Sequence, residues 1–265
     1  MNVVNSILAT VDFEMSRVMT FRRLFVATVM IGFPPLMMLI LDASGLPPVG
    51  EMMISVLCGM ICLLSLLLWA TPNVYAELEG KSWAFVTTRP WGRMSILFGK
   101  FLIAGGWSFI VAWIALSLCM VVVGPGLFAS GLPRIQIWMI LSILLLLASV
   151  VYAAIFSFFG VLIQRRAMVV AVGYFLVFEI MLALVPAVIG KFAMTFHLFS
   201  LLVHWIGWII PDDELETAEA FYLAYGQFPV WMHLLALATM TSVMLGFSVL
   251  IIRMREYITL DDAQV

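Results

Sequence analysis

Few side chains in this chain are equipped for chemistry, and the neighbours of each decide what it can do. Glu79-Gly80-Lys81-Ser82 carries the tail of a phosphate-binding loop, GxxxxGKS, in which backbone amides and a lysine cradle nucleotide phosphates. The full loop needs glycine at position 75, where the chain has Tyr75, and a buried strand before it, where the chain has an apolar run. The match is coincidental and gives no route to ATP. His197 and His204 lie two helical turns apart, which puts both rings on one face. A metal would need a third ligand at helical spacing, so interfacial or core histidines are the ordinary reading and no metal is expected. Cys58 and Cys62, one turn apart, lack an accompanying His or acid, and with Cys119 they read as small packing residues. The nineteen methionines, Met15/Met19 and Met240/Met244 among them, read as fillers of irregular apolar gaps. With no HExxH, GxSxG or paired-acid motif, the chain is not expected to be an enzyme. Glu179 differs from all of these. It sits near the middle of an apolar run, where an ionised side chain costs at least about 2.5–3.5 kcal/mol. Either it is a neutral group hydrogen-bonded to a neighbouring helix, or it walls a substrate path or a proton-linked switch.

The elements that must position these residues follow from composition. Of 265 residues, 65% are hydrophobic and 11% charged, against about 45–50% and about 25% in soluble domains. Apolar runs of about 20 residues, enough to cross a bilayer, recur throughout. The fold class expected is therefore an all-α integral membrane protein forming one transmembrane domain over 1–265, with no nucleotide-binding domain. No cleavable signal peptide is legible, because Asp12, Glu14, Arg17, Arg22 and Arg23 interrupt residues 1–23. Six spans are expected, near Leu24–Leu41, Met52–Thr71, Leu97–Val123, Ile137–Ile163, Ala167–Ile189 and Val230–Ile252. Pro34 and Pro35 predict a kink in the first.

Of the thirteen Lys and Arg, all but Arg134 and Lys191 fall on one side of such a topology. The positive-inside rule puts that side, and both termini, in the cytoplasm. The spacing of Ile7, Leu8, Val11, Met15, Val18 and Met19 predicts an amphipathic helix on the inner leaflet within residues 1–23. Phe192–Ile210 is apolar, but Gly190 and Lys191 alone separate it from the fifth span, too few for a reversal. Residues 190–229 are thus expected to form an outer-face helical segment, interfacial or re-entrant, with Trp205 and Trp208 at interface depth and Asp212, Asp213, Glu214, Glu216 and Glu219 facing outer water.

The connector between spans two and three, residues 73–96, interleaves Trp83, Phe85, Val86 and Trp91 with Glu77, Glu79, Lys81, Arg89 and Arg93. Arg89-Pro90 forces an extended or turning step. A short amphipathic helix, a turn and then a membrane helix are expected. A solvated loop would not need the aromatics, whereas a docking surface would.

This pattern resembles the permease subunits of ATP-binding-cassette (ABC) transporters of the type-2 exporter class. Glu77-x-Glu79, Pro90-x-x-Arg93 and Gly99-Lys100 match their coupling region. Lys81-Ser82 stands where Gly-Thr is common, and Gly92 where Ser or Thr is common. The resemblance implies a coupling helix carrying Glu77, Glu79, Lys81, Trp83, Arg89, Pro90, Trp91 and Arg93, docked on a separate ABC ATPase subunit. It also implies a second permease copy, in a homo- or heterodimer, within the lipids of the plasma (inner) membrane. No cofactor would bind the chain directly, ATP-Mg residing on the partner, and no nucleic acid is involved. Gly105, Gly106 and Ser108 could allow close helix approach. An alternative is a non-transporting scaffold or regulatory subunit that recruits a cytoplasmic partner through the same connector. An intramembrane enzyme or proton-coupled channel centred on Glu179 ranks last, since no further intramembrane acid, His or Arg accompanies it.

Overall fold

A computed structural model describes residues 3–44, 50–71, 77, 91–124, 128, 130–163, 166–181, 191, 193–207 and 228–254. Glu79, Lys81, Trp83, Arg89 and Pro90, the end of the fifth expected span, Trp208 and the acidic run lie outside the described residues. Among the described residues the structure is helical and contains no strand. Its helices are α1 (Val3–Val18), α2 (Phe21–Ala43), α3 (Gly50–Trp69), α4 (Gly92–Val122), α5 (Arg134–Leu162), α6 (Ala167–Tyr174), α7 (Met194–Ile206) and α8 (Val230–Met254). A π-helical stretch, Phe175–Met181, continues α6.

Five of these, α2, α3, α4, α5 and α8, are long and apolar enough to cross a membrane, so the chain is built as a multi-pass membrane protein. The expected fifth span is described only over α6 and the π-helical stretch, which are apolar but shorter. α4 has 31 residues, about 46 Å at 1.5 Å per residue, against a hydrocarbon core of about 30 Å. It begins at Gly92, ahead of the apolar run that starts at Leu97, and its first turns lie beyond that run.

α4 and α5 form the middle of the bundle, with α2 and α3 packed on α4, and α7 and α8 on α5. α5 is the most enclosed span, with 61% of its apolar stretch buried against 17% for α8. The central pair is joined by polar contacts suited to an apolar medium. Trp113 Nε1 donates to Ser142 Oγ and Trp138 Nε1 to Ser117 Oγ, each at 3.1 Å, and Ser65 and Ser108 pair at 2.8 Å between α3 and α4. Of the three small residues expected at a close approach, Gly105 faces Ala153 of α5 and Ser108 faces Ser65, whereas a side chain at Gly106 would meet open space. Cys58, Cys62 and Cys119 are buried free thiols in the core.

α2 remains helical through Pro34 and Pro35, both buried. Its opposite stripe, Phe21, Phe25, Val29, Phe33, Leu36 and Ile40, is exposed, as expected of a surface facing lipid tails. Chain direction sorts the charges. Arg17, Arg22, Arg23, Arg93, Lys100, Arg166 and Arg253 lie at one end of the bundle, and Arg134 begins α5 at the other. The two are called below the basic end and the opposite end.

Candidate functional site

At the basic end, α1 is amphipathic as its spacing requires, but the face it turns to the protein mixes polar Ser6, Thr10 and Glu14 with Ile7, Val11 and Val18. Ser6, Glu14 and Val18 are buried, while Leu8, Met15 and Met19 are exposed. The apolar stripe is thus divided: Val18 is buried and Ile7 and Val11 half-buried against the protein, while Leu8, Met15 and Met19 look outward, where a membrane interface would receive them. Close approach to α4 is possible because residue 99 is glycine. A Cβ there would stand 2.7 Å from Thr10 Cγ2 and 2.8 Å from Thr10 Cβ.

One residue further on, the Lys100 ammonium is buried between α1 and the root of the connector. Its Nζ donates to Glu77 Oε1 at 2.7 Å and lies 3.5 Å from Glu14 Oε1. Arg17 Nη1 reaches Glu77 Oε1 at 3.1 Å and Glu14 Oε1 at 3.0 Å. Glu14, Glu77 and Lys100 are each less than a tenth exposed. Two acids face two bases, each acid within reach of both bases, and removing any one member would unbalance the charge of the remaining three in a largely desolvated place. The first connector acid is thus fastened to both α1 and α4.

The connector's far root is fastened too. Arg93 Nη1 lies 3.5 Å from the carbonyl oxygens of Ile252 and Arg253 at the end of α8, where a cation complements the helix dipole. Trp91, just before α4, takes a left-handed backbone (φ 67°) with its side chain half exposed. That conformation costs an L-residue about 1–2 kcal/mol and turns the chain sharply into α4. Glu77 and Arg93, expected as docking residues, are thereby placed in internal contacts, while Trp91 presents its ring at the surface.

The second centre surrounds Glu179, which is 2% exposed within the π-helical stretch. Oε1 accepts from Tyr174 OH at 3.1 Å and the Met194 amide at 3.3 Å. Oε2 accepts from Tyr152 OH at 3.0 Å, the Thr195 amide at 2.8 Å and the Thr195 hydroxyl. The two amides open α7, where the unpaired N–H groups and the helix dipole favour an acceptor. Three hydroxyls and two amides matched to acceptor oxygens suit a carboxylate. The centre joins α5, α6 with its π-helical extension, and α7. It also borders a cavity of about 310 Å³ lined by α3, α4, α5 and α7.

A third gathering unites all three histidines of the chain. His197 Nδ1 on α7 and His233 Nδ1 on α8 are 2.9 Å apart, so one ring donates and the other accepts. The His204 ring is 6.0 Å from that of His233, and His204 Nδ1 is 2.8 Å from the Ser200 carbonyl. His197 and His204 do share a face, and α8 supplies the third ring between them. Among the described residues, no group of His, Cys, Asp and Glu has the arrangement of a metal site.

Compared with known proteins, the chain matches no family model and no curated relative.

Sequence reasoning singled out Glu179 but missed its donors. Tyr152 was the legible signal: a tyrosine far from either end of an apolar run is outside the interfacial belts where Tyr usually sits. Lys100 was recognised within Gly99-Lys100, but its pairing with Glu14 across α1 leaves no local trace in the sequence.

Proposed function

We propose that the chain is the membrane-spanning permease subunit of an ABC transporter, an exporter by analogy, driven by a separately encoded ATPase that docks on the connector. In this reading the basic end is cytoplasmic, the chain spans the plasma (inner) membrane six times, and two copies or two related chains complete the transporter. ATP-Mg stays on the partner.

The observation that carries the reading is the anchoring of Glu77. A connector that transmits force must be fastened where it leaves the membrane. Its first acid is held by Lys100 at 2.7 Å and Arg17 at 3.1 Å, and Arg93 grips the end of α8. A push on the connector would reach α1, α4 and α8 together. A scaffold that only recruits a partner has no need of such fastening, nor of a cavity walled by a buried carboxylate.

The test is capture of the tagged chain from its native membrane, followed by reconstitution with whatever ATPase accompanies it. An ATPase should be retained by the wild type and lost with Glu79→Ala and Trp83→Ala. Retention of a partner without ATP hydrolysis would leave the scaffold reading in its place.

A further inference from the structure

The cavity beside Glu179 is a different kind of surface from the connector. It has a volume of about 310 Å³, at the small end of ligand pockets, and its walls are mostly aliphatic and aromatic, Leu144 and Phe199 among them. Polar groups gather where Tyr152, Glu179 and Thr195 meet. Among the described residues lining it there is one carboxylate and no Lys, Arg or His. Val56 and Met60, which also line it, are 42% and 47% exposed on α3, so the space borders the flank of the bundle that faces lipid.

We propose that this cavity binds a single-chain cationic amphiphile, with the apolar tail against α3, α5 and α7 and an amine head at the Tyr152–Glu179–Thr195 end. The apolar wall accepts the tail much as lipid tails would, so the selectivity of the site rests on the head. The head meets an acid whose five donors come from neutral groups, so no side-chain cation among the described lining residues cancels its charge. In a low dielectric that charge attracts an ammonium and repels a carboxylate headgroup. Tyr152 and Thr195 each retain oxygen lone pairs that can accept from an amine. A neutral head gains only the hydrogen bonds.

This names the cargo class of the transport reading and rests on that reading only for the word cargo. Binding itself needs neither ATPase nor nucleotide, so the two fail separately. The probes are dodecylamine, dodecanol and dodecanoate, added to the purified full chain in phosphatidylcholine nanodiscs and counted as retained adducts by native mass spectrometry. One dodecylamine per chain is expected, held at least tenfold tighter than dodecanol, with dodecanoate weakest.

Gly59 lines the cavity, and a Cβ added there meets no atom within 4 Å. Gly59→Leu should therefore fill the space without disturbing the fold and abolish retention. Glu179→Gln should keep dodecanol and lose the preference for the amine. If that variant does not fold, the head-group order on the wild type and the Gly59→Leu result still decide. Equal retention of all three probes, a preference for dodecanol or dodecanoate, no retention, or dodecylamine retained undiminished by Gly59→Leu would each overturn the assignment.

Discussion

Replacing Gly99 by alanine sets two effects of known sign against each other. Within a helix the change gains about 0.8–1 kcal/mol from backbone propensity alone. Against it stands the new methyl, 2.7 Å from Thr10 Cγ2 and 2.8 Å from Thr10 Cβ, where carbon atoms prefer about 3.5–4 Å. Rotating Thr10 could move Cγ2 but not Cβ, and its hydroxyl is held by the Ser6 carbonyl at 3.0 Å. The helices must therefore separate by about an ångström, which overpacked interfaces resist at about 1–3 kcal/mol. That displacement also pulls Glu14 and Arg17 away from Lys100. The clash should win, with a net loss of up to about 2 kcal/mol, read as a lower unfolding temperature and faster amide exchange confined to α1. Thr10→Gly removes both offending atoms, and in that background Gly99→Ala should become neutral or stabilising. A Gly99→Ala chain stabilised in the wild-type background, with α1 exchange unchanged, would refute the close approach.

Lys100→Met should destabilise by up to about 3–5 kcal/mol, since it leaves two largely buried acids, Glu77 and Glu14, to share the part-exposed Arg17; adding Glu77→Gln should recover part of that in thermal unfolding. Tyr152→Phe removes one of the donors to Glu179 and should cost about 1 kcal/mol, less than Glu179→Leu, which leaves two tyrosines, a threonine and two amides without their acceptor. If Glu179→Leu unfolds at the wild-type temperature, the carboxylate does not organise α7. Gly160→Ala should lower stability by a net of up to about 2 kcal/mol, because its Cβ would stand 2.7 Å from the Thr71 backbone oxygen; a raised melting temperature would show that α5 does not meet the end of α3 there.

Local signals were legible and pairwise ones were not. Long apolar runs announced the five long apolar helices because hydropathy over about 20 residues has one common cause. The amphipathic spacing announced α1 and laid its apolar side on the inner leaflet, yet how that side would divide between protein and surroundings was not readable. Leu8, Met15 and Met19 are exposed while Val18 of the same stripe is buried with Ser6 and Glu14, a division that spacing alone does not set. Glu179 stood out by its cost in an apolar run. Its stabilisation depends on Tyr152 and Thr195, brought from distant helices, and on a π-helical stretch that no residue pattern marks. His197 and His204 were placed on one face by spacing alone, and His233 was invisible to the same reasoning because it arrives from another helix.

The same distinction explains the charge gathered between Glu77 and Lys100. A charged residue at a bundle's end can be a surface feature or an internal strut, and composition does not separate the two. Here Glu77 and Lys100 neutralise one another inside the protein and draw in Glu14 and Arg17, while Arg93 is spent on the end of α8. Those residues hold the connector's two roots against three helices. If a partner docks there, recognition must then come chiefly from what lies between the roots, with Trp91 exposed at their edge. Substitutions at Glu77, Lys100 or Arg93 should therefore lower stability and coupling together, whereas substitutions at Glu79 or Trp83 should lower coupling alone. An unfolding curve run beside each capture experiment separates the two classes.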